Sequence, residues 1–139
     1  MHIRPFQLSD EAAVVDLWQR CDLTRPWNDP HKDIQRKLTV QPELFLVGEI
    51  DGKLVASAMA GYEGHRGWVN YLAVCPQWRQ QGLARQLMTY IEAQLLALGC
   101  PKLSLQVRDT NAAALAFYER LGYKIDASVS LGKRLIADD

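Results

Sequence analysis

Apolar residues recur along this chain with two different periods, and the period says which element each stretch forms. Val14, Leu17, Trp18 and Cys21 fall three and four apart, one face of a helix. Ser9-Asp10-Glu11 before them supplies a capping hydroxyl and first-turn acids. A second, shorter helix is expected over Asp33 to Val40, with Ile34, Leu38 and the aliphatic stem of Lys37 facing inward. The strongest helical pattern runs from Gly82 to Gly99. There Leu83, Leu87, Ile91 and Leu95 fall four apart, Ala84, Met88 and Leu98 widen the stripe, and Gly99 sits where a C-terminal glycine belongs. Ala112 to Leu121 is an alanine-rich helix, led in by Asp109-Thr110-Asn111 and closed by Gly122.

The period of two marks the strands. His2 to Phe6 is a short extended segment that Pro5 confines to an edge or an end. Leu44 to Ile50 and Lys53 to Tyr62 flank Asp51-Gly52, a hairpin turn signal. Trp68 to Val74 follows and stops at Cys75-Pro76. Leu103 to Val107 alternates, and Tyr123 to Ile125 and Val129 to Ile136 are expected as two last strands. Thr24 to Pro30 holds two prolines among turn formers and reads as a loop. The order β-α-α-β-β-β-α-β-α-β-β mixes hairpins with crossover helices. An α/β (α+β) fold follows, with a mixed, partly parallel sheet and about four helices.

Composition narrows the class without naming it. Of 139 residues, 48% are hydrophobic and 23% charged, as in an ordinary globular chain, and the length fits one domain over residues 1–139. The 16 basic and 16 acidic side chains cancel. The phosphate-neutralising excess of a general nucleic-acid binder is therefore missing, and no nucleic-acid partner is expected. Cys21, Cys75 and Cys100 form no CxxC pair, and with only three histidines neither a disulfide scaffold nor a metal site is expected. No secretory or transit signal opens the chain, and no run approaches the ~20 apolar residues that span a bilayer. No membrane partner and a cytoplasmic location are the corresponding expectations.

One segment carries candidate chemistry: Leu72-Ala73-Val74-Cys75-Pro76-Gln77-Trp78-Arg79-Gln80-Gln81-Gly82-Leu83-Ala84-Arg85. A strand ends, a short loop follows, and a helix opens at a glycine. The first-turn amides of a helix lack intrahelical acceptors, and the dipole makes that end positive. Gly82 and the small Ala84 would let a phosphate approach the backbone, with Arg79 and Arg85 adding charge-assisted contacts. The same glycine would also serve plain close packing of helix on sheet. No Lys and hydroxyl pair follows it, which excludes a P-loop, and no GxGxxG with a following acid marks a Rossmann site.

Arg79-Gln80-Gln81-Gly82-Leu83-Ala84 resembles the R/Q-x-x-G-x-G/A signature of the GNAT superfamily of N-acetyltransferases, placed as there after a strand ending L-A-V-x-P. The stretch from Asn111 to Tyr123 resembles that family's N-x-x-A-x-x-x-Y-x-x-x-G-F/Y signature. The element order agrees over nearly the whole chain. Small bacterial members, the ribosomal-protein alanine acetyltransferases and the YpeA group among them, are most similar. The resemblance implies a twisted sheet whose central strands splay apart around acetyl-CoA, the cosubstrate. Leu72, Ala73 and Val74 would offer backbone groups to the pantetheine arm. The amides of Gln81, Gly82, Leu83 and Ala84, with Arg79 and Gln80, would wrap the pyrophosphate. Asn111 would touch the arm near the thioester. A small-molecule or peptide amine would be the acceptor, and a homodimer is in keeping with such proteins.

In that frame the amine attacks the thioester directly in a ternary complex. A backbone N–H of Leu72 or Ala73 would polarise the carbonyl, and Tyr118 would protonate the departing thiolate. Tyr118 could equally fill an aromatic slot beside Phe117. The alanine acetyltransferases carry a glutamate twelve positions before the tyrosine; here that position is Gln106, which accepts no proton. Glu63, His65 and Glu49 remain as candidate bases. Gln106 also keeps alive the alternative of an acyl-CoA-binding sensor or interaction module with little turnover. Trp27, Asn28 and Asp29, with the Tyr62 to Trp68 turn, suit the wall of an acceptor pocket, unless Trp27 plugs the core under its loop. Trp18 and Trp78 are assigned to packing.

Overall fold

The computed structural model describes residues 1–139. In chain order the elements are β1 (His2–Pro5), α1 (Glu11–Arg20), α2 (Pro30–Lys37), β2 (Phe45–Ile50), β3 (Lys53–Tyr62), β4 (Gly67–Val74), α3 (Leu83–Ala97), β5 (Leu103–Leu105) and α4 (Ala112–Arg120). Residues Met1–Leu105 with Asp138–Asp139 make one compact unit, and Gln106–Ala137 make a second. No helix is long and apolar enough to cross a membrane.

In the first unit the strands lie in chain order, β1-β2-β3-β4-β5. The first three pairings are antiparallel, as hairpins require, and β5 joins β4 in parallel after the α3 crossover. Asp51 and Gly52, both at positive φ, make the tight β2–β3 turn. Alternation along the strands sorts the helices onto two faces. Gly67 faces α3, where a Cβ would strike Leu95 Cδ1 at 2.9 Å and Cys100 Sγ at 2.8 Å. The neighbouring Trp68, with Met59, Gly61 and Asn70, faces the α2 side.

The core forms where these faces meet the helices. Val14, Leu17 and Trp18 of α1, and Leu87, Met88, Ile91 and Leu95 of α3, are buried against the sheet. Phe6 stacks on Phe45 at 4.3 Å, and Trp18 lies 6.2 Å from Phe45. At the sheet edge Arg4 of β1 binds Asp10 at 2.8 Å and also pairs with Glu49 of β2. Asp10 is therefore held well below the usual carboxylate range, chiefly by its hydrogen bond from Arg4.

Boundaries shift where side chains cap. Asp29 accepts the amides of His31 (2.9 Å) and Lys32, so α2 begins at Pro30, inside the expected loop, and stops at Lys37. Ser9 makes no cap; it lies in a 3-10 turn over Leu8–Asp10 in which Asp10 accepts the Gln7 amide. β5 is shorter than expected, ending at Leu105 opposite Val69.

In the second unit α4 is capped by Asn111, whose Oδ1 accepts the Ala114 amide at 3.1 Å. The two expected last strands are absent: residues 123–137 hold no strand. Ile125, Val129, Leu131, Leu135 and Ile136 are each 70% or more exposed. Their alternation satisfies the strand pattern, but no partner strand pairs with them, and a lone extended segment cannot satisfy its backbone.

Candidate active site

The site in the first unit begins with a bulge. Ser57 pairs with Ala73 and Met59 with Asn70, so Ala58 faces two residues of β4, Tyr71 and Leu72. Tyr71 takes φ +54°, a left-handed conformation that costs a non-glycine residue on the order of 1–3 kcal/mol. Three contacts hold it there. Its ring stacks on Trp18 at 3.9 Å, its hydroxyl donates to Asp33 Oδ2 at 2.7 Å, and its carbonyl accepts the Ser57 hydroxyl at 3.2 Å. Ser57 in turn accepts Trp18 Nε1 at 2.8 Å, and both residues are fully buried. Burial, then the Asp33 carboxylate, push the Tyr71 phenol well above its ordinary pKa.

The bulge lies where the sheet opens. β5 pairs with β4 only at Gly67–Val69, so the β4 edge from Asn70 to Val74 has no strand partner on that side. A ladder turns only every second residue's N–H and C=O to one edge, so Leu72, Ala73 and Val74 offer that edge part of their backbone groups, and Val74 O already accepts Arg79 Nε and Cys21 Sγ. The chain then passes Cys75 and the Pro76–Trp78 turn to Gln80 (φ +63°) and Gly82 (φ +79°). Left-handed residues in a turn aim successive amides into one concavity. No side chain caps α3, and its first internal bond runs from Gln86 N–H to Gly82 O. The amides of Leu83, Ala84 and Arg85 accordingly have no helical acceptor. A Cβ on Gly82 would meet nothing within 4 Å, so the backbone there is open to a ligand. Leu83 is buried and pins the turn, while Arg79, Gln80, Gln81 and Arg85 are exposed. Arg79 Nε folds back onto Val74 O at 3.3 Å.

Asn111 and Tyr118 belong to α4, in the second unit. Tyr118 packs edge-on to Phe117 (5.1 Å) and Tyr123 (5.8 Å), so the aromatic slot is real. Its hydroxyl makes no hydrogen bond, and burial pushes its pKa up to about 12. Gln106 donates to the Ser130 hydroxyl. The Asn111 carbonyl oxygen is engaged in its cap, which leaves Nδ2 for a ligand.

On the α2 side, Glu49 is tied to Arg4. Glu63 Oε1 accepts the amides of Arg66 (2.5 Å) and His65 (2.6 Å), and these bonds, Arg66 first, lower its pKa. Trp27 is 56% exposed, so it does not plug the core. Asp29 N–H donates to Asp138 Oδ2 at 2.9 Å, and Arg36 binds the same carboxylate, whose side chain is wholly buried. Trp18 is packing, as expected; Trp78 is half-buried. Ser57, Tyr71, Asp33 and Lys37 carry no sequence motif, because their roles exist only through contacts between distant segments.

Comparison with known proteins agrees with this geometry. The profile of the Acetyltransferase (GNAT) family matches residues 12–123. An acetyltransferase of Yersinia enterocolitica is 52% identical over 138 residues, covering 99% of this chain and 98% of the relative. The fold matches Ard1 of Thermoplasma volcanium with a TM-score of 0.81 at 24% identity, over 91% of this chain and 84% of that one. It matches the ribosomal-protein-S18-alanine N-acetyltransferase of Escherichia coli with a TM-score of 0.72 at 28% identity, over 87% and 76%. With a bulged, half-unpaired β4 leading into an uncapped, glycine-opened helix, and with this likeness spanning nearly its whole length, the chain belongs to the GNAT family and is an acetyltransferase.

Proposed function

We propose that residues 1–139 work as one domain that moves the acetyl group of acetyl-CoA to a primary amine by direct attack, without an acyl-enzyme. The observation that carries this is the β4 edge left without a strand partner from Asn70 to Val74, continuing into the uncapped first turn of α3. The cofactor is a linear molecule with amides at one end and a diphosphate at the other. Leu72, Ala73 and Val74 serve the amides, and Asn111 Nδ2 assists. Gln80, Gln81, Gly82, Leu83 and Ala84 serve the diphosphate through main-chain donors, which suits an anion at a helix N-terminus. Arg79 and Arg85 add charge.

The step balances simply. The amine nitrogen bonds to the thioester carbon, the C–S bond breaks, and the sulfur takes the Tyr118 proton. The surplus ammonium proton leaves to solvent and Tyr118 is reprotonated. A phenol with a free hydroxyl and a pKa near 12 is protonated at neutral pH, so its proton is in place when the C–S bond breaks. The Leu72 or Ala73 amide steadies the developing oxyanion.

No buried base stands ready. Gln106 is neutral, Glu49 is paired, Glu63 is held a weak base by its backbone bonds, and His65 lies exposed in the same turn. The acceptor therefore arrives as free amine, which favours an α-amine of pKa near 8 over a lysine near 10.4. Thiol release from acetyl-CoA tests the proposal. Turnover with N-terminal α-amines that collapses in Tyr118→Phe, with acetyl-CoA affinity retained, is expected; undiminished turnover in that variant refutes the role of Tyr118.

A further inference from the structure

Between the end of α2 and the outer halves of β3 and β4 lies a groove of about 210 Å³, floored by Met59, Gly61, Trp68 and Asn70. Sites that enclose a drug-sized ligand hold roughly 300–1,000 Å³. This one therefore takes one end of a molecule: a small acceptor, or the first residues of a chain. Its inner end is Asn70, next to the bulge residue Tyr71.

Of the groove's polar side chains, Tyr62, Gln41 and Glu63 are already engaged; the Tyr62 hydroxyl donates to Gly64 O at 3.2 Å. Gln41 spends its amide on Tyr62, donating to the carbonyl at 3.0 Å and accepting the N–H at 2.8 Å. Glu63, at the outer rim, is tied into its own turn. Lys37 is different. Its ammonium has three donors and makes one hydrogen bond, to Ala60 O at 2.5 Å. No carboxylate lies within ion-pair distance of it; Glu43 acts on it only from farther away. Burial pushes its pKa down, the cost of a half-buried cation without a counter-ion. Gly61 keeps the space beneath it open. A Cβ there would lie 3.6 Å from Lys37 Nζ and 3.3 Å from Gln41 Oε1, so a longer side chain would run into both.

Ala60 pairs with Val69, two residues before Tyr71, which sets the ammonium roughly 7 Å along the strand from the bulge. We propose that the groove receives an acceptor amine bearing a carboxylate or similar anionic group about 7 Å from the reacting nitrogen, and that Lys37 is the residue that selects it. The inference rests on the direct-transfer reading above, which brings the amine to the β4 bulge. Lys37 lies in the last turn of α2, where a cation is also favoured by the helix dipole.

The test uses a charge-only pair of acceptors, the dipeptide amides Ala-Glu-NH2 and Ala-Gln-NH2, with thiol release as readout and acetyl-CoA calorimetry as control. A kcat/KM at least tenfold higher for the glutamyl peptide, carried by KM, is expected of the unaltered protein. Lys37→Met should erase that preference and Lys37→Arg should keep part of it, both with unchanged acetyl-CoA affinity. Equal kcat/KM for the two peptides, a preference that survives Lys37→Met, or no acetylation of either peptide despite bound acetyl-CoA overturns the assignment. The unaltered protein decides the first and third of these even where a variant fails to fold. Absence of acetyl-CoA binding is seen separately, and removes the transfer reading together with this one.

Discussion

In the proposed transfer Tyr118 is the proton donor, and at the residue scale its environment sets what a single oxygen atom is worth. Tyr118→Phe keeps the ring packing against Phe117 and Tyr123 and removes only the proton donor. General-acid catalysis contributes about 10²–10⁴-fold. Steady-state kinetics should therefore show kcat lower by about 10² or more, with acetyl-CoA affinity altered less than about threefold. The same phenol makes a pH statement about the fold. Its pKa in the folded chain, about 12, lies above the ordinary 10. The native state thus holds the proton more tightly than the unfolded chain, and this contribution is intact below about pH 10 and is lost as pH rises toward 12. Asp10 has the opposite sign. Its lowered pKa gives stability present at neutral pH and lost as pH falls through the carboxylate range. Asp10→Asn, which leaves Arg4 paired with Glu49 alone, should cost about 1–3 kcal/mol in urea unfolding at pH 7 and less in acid. Gly82 as the opening of α3 and Asn111 as the cap of α4 were legible in the sequence because each sits in a local motif. Tyr71 was not: its positive φ is held by Trp18, Ser57 and Asp33, which lie 14 to 53 residues away.

At the scale of elements, the β4 bulge and the start of α3 do the positioning. Ser57→Ala would leave Trp18 Nε1 and the Tyr71 carbonyl without their buried partner. Each such loss costs about 1–3 kcal/mol. We expect a lower urea midpoint by that amount and a raised KM for acetyl-CoA, since the loosened bulge sits beside Leu72–Val74. An unchanged KM at reduced stability would show that the bulge is structural only. The helices and the first four strands were readable because their periods and turn residues are local. α2 starts earlier than its apolar pattern predicts, because Asp29 caps a helix that Pro30 opens, while a proline among turn formers also reads as loop. The last two strands fail for another reason. Residues 123–137 show the alternation of strands, but strand formation requires a pairing neighbour, and alternation does not supply one.

For the whole molecule, charge and acceptor chemistry matter more than any one contact. With net charge zero, long-range steering of an anionic cofactor is weak, and in the proposed site its binding depends on local donors at the helix start. The acceptor's own ionisation should control the acid limb of activity. For an α-amine of pKa near 8, kcat/KM should rise about tenfold per pH unit below ~8 and then level. Glu63→Gln should leave that limb in place, because the weak base it removes does not set it. The acetyltransferase class was legible before any coordinates, through two spaced signatures. The charge selectivity of the groove was not, because Lys37, Ala60 and Gly61 meet only when α2 lies across β3.

Calorimetric titration of acetyl-CoA into the unaltered protein and into Gly82→Glu tests the central claim most directly. The account predicts saturable binding by the first and a loss of more than tenfold, about 1.4 kcal/mol, in the second, whose carboxylate would crowd and repel the diphosphate. No binding at millimolar cofactor, or equal affinity in the two proteins, contradicts it.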